Sequence, residues 1–475
     1  GGEDRGMYLV LPSQFNMHIS DQYAETIDND REFSLKLHLI DTPMPMQRPL
    51  DYQLGTILTP CKRPRNIARL QRIGSGFVNL QEDGSRLLQQ TPEMYARFGD
   101  RFFHDPEYRP FEKDYFTTAI LACWQLPQVQ NGNPTPPEKE LKRIDVEVNA
   151  IRNSIGGMPM LWYDSLFTMF HLPQAIPYVY EWECHPRTRL PVEQLGTFVC
   201  ATDAWADYYL YGVKKRMQQG IKCFYMDMSN FHSCSNRFHG CGKRNPDTGE
   251  VIPSIRFLDG REMFLRYQKL VKENDPEGLL VMHTSLCTPL ALWVDVITDG
   301  EGWTNAPNYS SLKPEFYQMV AMGTKATGTV CNFFPGLILT HYPQAAKCDV
   351  TLAEVCGMTF SHNESMWNGV QVQLAGLRMV WDVLVDFGAY ENDTEWVPYW
   401  RHPQSRYPDG VMISEWRREK QRLLLVFNPY YEVHPCRLEI PQGCEIINAL
   451  DKKHWNARSP EIAPRDFKLL VVQPK

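Results

Sequence analysis

The sequence predicts an α/β protein: a (β/α)8 TIM barrel flanked by an N-terminal β region and a C-terminal antiparallel β-sandwich. Three observations carry that expectation. Between residues 66 and 392, helix, glycine, strand and polar loop recur, the rhythm of a βα array in which each helix returns the chain to a parallel strand. On either side of that stretch the pattern is one of strands and turns. No Gly-rich phosphate loop follows any apolar run, which disfavours a doubly wound nucleotide-binding sheet and leaves no cofactor to expect.

Residues 1–65 read as the C-terminal part of a β-sandwich and a linker. Phe33 to Ile40 alternates apolar and polar side chains, and Pro43, Pro45, Pro49, Pro60 and Pro64 then keep the chain extended. The barrel, residues 66–392, has candidate strands at Gly76–Leu80, Met160–Tyr163, Pro177–Trp182, Lys222–Met226, Leu279–Met282, Leu292–Ile297 and Thr329–Phe334. Thr202 can cap a helix whose Trp205, Tyr208, Tyr209, Val213 and Met217 share one face and which Gly220 ends. Asp259 and Glu262 form a capping-box-like pair before a second helix. Residues 393–475 return to β structure, with strands expected at Val411–Trp416, Arg422–Phe427, Arg437–Ile440 and Lys468–Val472.

Composition narrows the class. Of 475 residues, 43% are hydrophobic and 22% charged, a globular balance. The net charge of −7, with no basic stripe, argues against a nucleic-acid partner. The longest uncharged run, Ala326 to Ala346, is broken by Asn332, Pro335, His341 and Pro343, so no membrane span is expected. Aromatics reach 12%, including 12 Trp, which suits either a large core or a site that stacks sugar rings.

In a (β/α)8 barrel the reactive groups stand at the C-terminal ends of the strands. Five successive strand ends here carry a carboxylate or histidine: Asp164, Glu181 with Glu183, Asp227, His283, and the Asp295–Glu301 segment. Charged groups are costly to bury without partners, so their repetition at one rim points to a polar site that binds or cleaves a carbohydrate. Asp227 ends an apolar strand and is placed to attack an anomeric carbon or to stabilise an oxocarbenium ion. Asp295, Asp299 and Glu301 share one face if the chain is extended, and crowding raises a carboxyl pKa, as a general acid requires. Glu301, with Asp299 as second choice, is the expected acid/base. Gly300 and Gly302 let the loop turn around it. Trp162, Glu181, Trp182, Glu183, His283, Asp295 and Trp303 are expected to line the sugar subsite, and Glu364 and Trp367 are further candidates.

The loop after Asp227 holds His232, Cys234, His239 and Cys241. Its spacing departs from the usual Cys-x2–4-Cys ligand pairs, so no metal is assigned. A Cys234–Cys241 disulfide is the simplest reading, ahead of free thiols or a metal, and implies an extracellular or periplasmic setting. Two other readings stay open: a catalytically degenerate barrel with a carbohydrate-binding or structural role, and a metal-dependent hydrolase using His232, His239 and His283.

Leu54–Pro60, the Tyr225-Met226-Asp227 strand with its Cys234…His239-Gly240-Cys241 loop, and Asp295…Asp299-Gly300-Glu301 resemble glycoside hydrolase family 123-like proteins, in order along most of the chain. The resemblance implies a barrel between β-sandwiches and glycoside hydrolysis. It departs in one respect: that family uses adjacent Asp-Glu residues in a mechanism assisted by the substrate's acetamido group, and this chain has no Asp-Glu dipeptide. The Tyr225–Asp227 strand is also similar to the nucleophile strand of clan D α-galactosidases, which implies retention, an Asp nucleophile and a second Asp as acid/base.

Overall fold

The structure is a computed structural model. It describes residues 6–11, 17, 24–28, 33–43, 45–46, 48–62, 73–80, 86–87, 118–122, 138, 141–142, 145, 160–169, 174–186, 197–227, 229–245, 248–283, 288–300, 313–333, 351–366, 374–455 and 461–475.

Among the described residues, four strands precede the barrel. β1 (Gly6–Val10) pairs antiparallel with β4 (Gly55–Thr59), and β2 (Ala24–Asp28) with β3 (Phe33–Leu37). The chain leaving β4 is pinned to the barrel: the Cys61 amide donates to the Ala326 carbonyl at 2.9 Å, and Lys62 Nζ to the carbonyls of Leu292 and Val294 at 2.9 and 2.6 Å.

Eight parallel strands then lie side by side in chain order: β5 (Ile73–Leu80), β6 (Thr118–Ala122), β7 (Met160–Ser165), β8 (Cys223–Asp227), β9 (Leu280–His283), β10 (Val296–Asp299), β11 (Val330–Phe333) and β12 (Ser365–Met366). That succession, with helices between, is the (β/α)8 barrel. The helices include α1 (Val179–Trp182), α2 (Asp203–Gln218), α3 (Phe257–Asn274), α4 (Pro314–Thr327), α5 (Leu352–Ser361) and α6 (Leu374–Phe387). Thr202 caps α2 as expected, its hydroxyl accepting from the Trp205 amide at 3.1 Å. α3 starts at Phe257, ahead of the expected capping box, and Asp259 pairs instead with Arg256 at 2.8 Å. Proline opens α4, and Gly328 closes it in the left-handed region at φ +65°.

Alternation along the strands sorts side chains onto two faces. Trp162, Phe224, Met226, Leu280, Met282 and Ile297 pack with Trp205, Tyr209, Phe264 and Tyr267 of α2 and α3. Leu161, Cys223, Tyr225, Val281, Val296 and Val330 form a separate buried cluster on the other face, toward the lumen.

After the barrel, β13 (Glu395–Val397), β14 (Met412–Arg418), β15 (Gln421–Phe427), β16 (Cys444–Asn448) and β17 (Phe467–Pro474) make a five-stranded antiparallel sheet in the order β13-β14-β15-β17-β16. One face, with Trp416, Leu425, Phe427 and Leu469, joins the core of α5 and α6. The other, with Ile413, Val426 and Leu470, packs on Leu438 and Ile462.

Several expected elements differ. Pro177–Trp182 is a short 3-10 turn followed by α1, because Pro177 sits in the first turn of a helix and removes no bond there. The strand expected at Leu292–Ile297 shifts to Val296–Asp299. Arg437–Ile440 is not a strand; β16 pairs with β17 instead. The strands at Thr118–Ala122 and Ser365–Met366 were not anticipated: the first is rich in Ala and Leu, which fit a helix equally, and the second has two residues.

Candidate active site

The C-terminal ends of the barrel strands align a row of polar side chains. Asp227 on β8 pairs in register with Ser165 on β7. His283 on β9, one step past the Met226–Met282 pair, faces Thr298 on β10, which faces Asn332 on β11, which faces Ser365 on β12. In-register neighbours of parallel strands share a face, and the row shares the parity of the lumen residues Tyr225, Val281 and Val296.

Asp227 is the focus of the row. Its Oδ2 accepts a hydrogen bond from the Tyr163 hydroxyl, and its Oδ1 lies 3.2 Å from His283 Nδ1. Tyr225 lies beneath: its ring stacks on Tyr163 with centroids 5.2 Å apart and meets the His283 ring at 5.8 Å. The carboxylate is thus oriented by two donors while 23% of its side-chain surface stays open. Thr298 Oγ1 is buried in the row with no hydrogen-bond partner among the described residues.

Of the expected site residues, the structure brings together Asp227 and His283. Glu301, Trp303 and Trp367 lie outside the described residues. Asp299 is set apart from Asp227. It is two strands away, about 10 Å between backbones, and alternation sends its side chain to the face of Ile297, away from Thr298. Its Oδ1 accepts from the Gly300 amide at 2.7 Å. Asp295 does not reach the rim at all. It precedes β10 at the opposite end of the barrel, where Lys272 Nζ holds both its oxygens at 3.0 Å and the Leu280 amide donates at 2.9 Å. Asp295 and Asp299 fail to cluster because the four residues of extended chain between them span about 13 Å.

Trp162 and Trp182 are core residues, not a sugar platform. Trp162 is fully buried on the α2 side under the Arg216 guanidinium, 5.4 Å from its ring. Trp182 is 3% exposed, stacked on Tyr178 and edge-on to Trp205. Asp164 also faces α2 and α3. Burial first, and the Asp164 charge second, push the Tyr209 and Tyr267 phenols well above their ordinary range, which keeps them protonated beside it. Glu364 immediately precedes β12, bound by Thr324 Oγ1 at 2.8 Å and the Cys331 amide at 3.0 Å.

Glu183 is 1% exposed and pairs with His185 Nε2 at 3.0 Å. Glu181 acts through its backbone, the carbonyl accepting from His239 Nδ1 at 2.7 Å. Both belong to the segment around α1 that meets the excursion after β8. Asn236 joins the two, its Nδ2 donating to the carbonyls of Tyr180 and Glu183 at 2.8 and 2.9 Å.

The expected Cys234–Cys241 disulfide is absent, and both residues are free thiols. The fold draws Cys184 and Cys200 from the preceding loop against them, forming one buried cluster, so Cys234 does not simply close its own loop. Hydrogen bonds from Cys184, Cys200 and Cys241 lower the Cys234 thiol below its usual range. The three histidines proposed for a hydrolytic metal are separated: His283 serves Asp227, His239 joins the thiols, and His232 stacks on Phe198 at 3.7 Å.

Tyr163, Thr298, Asn332 and Ser365 were missed. Writing the strands in register, two residues at a time back from Asp227, finds Tyr163; the others need the pairing itself.

No protein-family model matches the chain, and no curated protein matches it. Among solved structures, an Anoxybacillus α-amylase matches with TM-score 0.52 at 12% identity, over 86% of this chain and 98% of that one. The Geobacillus thermoleovorans α-amylase complexed with acarbose matches with TM-score 0.52 at 9% identity, over 86% and 100%. The maltogenic α-amylase AmyB of Thermotoga neapolitana gives 0.51 at 11%, over 84% and 98%. At this identity the likeness is one of architecture: the chain has the fold of the TIM-barrel amylases, a (β/α)8 barrel followed by an antiparallel sheet domain.

Proposed function

We propose that the chain is a glycoside hydrolase that cleaves O-glycosidic bonds of a poly- or oligosaccharide, with Asp227 as its nucleophile. The observation that carries this reading is the Asp227 carboxylate, directed into the barrel mouth and oriented by Tyr163 and His283. In a retaining sequence, an Asp227 oxygen bonds to the anomeric carbon as the glycosidic C–O bond breaks, and a general acid protonates the leaving oxygen. Water, deprotonated by the same residue, then displaces Asp227 and completes hydrolysis. Glu301 is the acid/base in this reading. It follows Gly300, whose φ of +107° turns the chain out of β10 at the rim. Kinship with family 123-like proteins, supported by the order of the motifs, is the finer form of the proposal, with the Asp227 carboxylate in place of that family's acetamido assistance.

The test is a hydrolysis screen over a glycan panel that includes α-glucans, the substrates implied by the amylases of like fold. A fluorosugar inactivator then labels the nucleophile. Product formation with label on Asp227 is expected; turnover with label elsewhere overturns the assignment. The second reading, a barrel that binds carbohydrate without turnover, is favoured by Asp227 being the one carboxylate in the polar row among the described residues. Saturable glycan binding with no product by any donor would establish it.

A further inference from the structure

Three chain segments converge beside the barrel mouth: Cys184 from the loop after β7, Cys200 just ahead of α2, and Cys234, His239 and Cys241 from the excursion after β8. The ligand atoms of Cys200, Cys234, His239 and Cys241 all lie within 4.8 Å of one another. His239 Nε2 is 3.4 Å from Cys234 Sγ, and Cys184 Sγ is 3.5 Å from Cys200 Sγ. We propose that Cys200, Cys234, His239 and Cys241 form a tetrahedral binding site for a single divalent ion of the zinc class, a structural centre that ties two loops of the barrel mouth together.

Distances decide between the chemistries that four thiols can support. A disulfide brings sulfurs to about 2.05 Å, and all four are free. An iron–sulfur cluster interposes irons and sulfides between its thiolates and spreads them further than these contacts allow. A tetrahedral zinc, with Zn–S about 2.3 Å and Zn–N about 2.0 Å, sets S···S edges near 3.8 Å and S···N edges near 3.5 Å. The Cys234–His239 spacing of 3.4 Å matches the S···N edge, and all four ligand atoms lie within 4.8 Å of one another, close enough to converge on one ion.

The surrounding groups suit a thiolate–imidazole centre. His239 donates its Nδ1 proton to the Glu181 carbonyl at 2.7 Å, which leaves the Nε2 lone pair toward the sulfurs. Backbone amides of His185 and Asn236 donate to Cys234 Sγ at 3.3 and 3.2 Å, as amides do to a metal-bound thiolate. Gly240 and Gly242 take φ of +84° and +66°, turning the chain tightly enough for His239 and Cys241 to present ligands to one point. Three thiolates and a neutral imidazole around a divalent ion carry a net charge of −1. Cys184 stays a neutral thiol that donates to Cys200. With four protein ligands no position is open for water, so the centre is structural and takes no part in hydrolysis.

The test is elemental analysis of the purified, reduced full chain, free of chelating tags. About one zinc per chain is expected. Cys200→Ser, Cys234→Ser, Cys241→Ser and His239→Ala should each bind zinc at least about tenfold more weakly, while Cys184→Ala and the exposed-site control Cys61→Ser keep it. Should the ligand variants fail to fold, cobalt replacement in the wild-type chain decides alone, by the intense visible bands of tetrahedral thiolate-bound cobalt. A folded chain without transition metal, iron with inorganic sulfide, two disulfides by mass, or metal lost in Cys184→Ala but kept in His239→Ala would each overturn the proposal.

Discussion

The His283 imidazole faces the Asp227 carboxylate at 3.2 Å, Nδ1 to Oδ1, from the next strand of the barrel. With the Tyr163 hydroxyl on the other oxygen, the carboxylate is gripped from both neighbouring strands. Asp227→Asn is therefore expected to lower kcat at least about 10^4-fold with the fold intact. Tyr163→Phe and His283→Asn, which keep the nucleophile but loosen its orientation, should cost about 10- to 10^2-fold in kcat with little change in KM. Steady-state kinetics on the best glycan, with circular dichroism as the fold control, checks all three. An active Asp227→Asn would remove Asp227 from the mechanism.

Glu364 supplies a pH signature. Burial, only partly offset by Thr324 and the Cys331 amide, pushes its carboxyl up to about 8. Its Oε1 accepts from the Thr324 hydroxyl and its Oε2 from the Cys331 amide, two donors that do not make up for the lost water. A carboxyl raised from 4.5 to about 8 contributes stability that is complete below pH 4.5 and lost as the pH rises through 8. The loss is on the order of 3–5 kcal/mol. Glu364→Gln mimics the neutral acid and should flatten this dependence between pH 5 and 9, measured by urea unfolding. An unchanged pH slope counts against the assignment.

The barrel and the C-terminal sheet meet at a buried ion pair. Arg465 Nε donates to Glu354 Oε2 of α5 at 2.7 Å, and its guanidinium lies 4.7 Å from the Tyr431 ring centroid. Arg465→Met should destabilise by about 3 kcal/mol, because it removes the guanidinium from a carboxylate that is 5% exposed. Adding Glu354→Gln should recover most of the loss. A double-mutant cycle in denaturant measures the coupling, and purely additive losses would deny it.

Two glycines of the thiol loop separate strain from space. Both have positive φ, but a Cβ on Gly242 would lie 2.5 Å from the Ser235 carbonyl oxygen, whereas on Gly240 its nearest contact is Arg256 at 3.8 Å. Gly240→Ala should cost about 1–2 kcal/mol from the left-handed backbone alone. Gly242→Ala should cost more and should speed hydrogen exchange across residues 229–245. Equal effects would show that the Ser235 contact yields freely.

The sequence by itself determined the architecture and its reactive rim. Periodicity and the return of the chain after each helix depend on local contacts, so the strands around Leu161, Tyr225, Val281 and Val330 could be read directly. Asp227 and His283 followed, since each ends an apolar run. Only the tertiary structure decided which of the remaining polar residues share a site. Strand parity turns Asp299 away from Asp227, the length of extended chain puts Asp295 at the far end of the barrel, and burial between helices takes Trp162 and Trp182 into the core. The thiol cluster shows the same limit most sharply. Cys234 and Cys241 are neighbours in the chain, but their partners Cys184 and Cys200 arrive from a different loop, and spacing along one segment carries no record of a contact made through space.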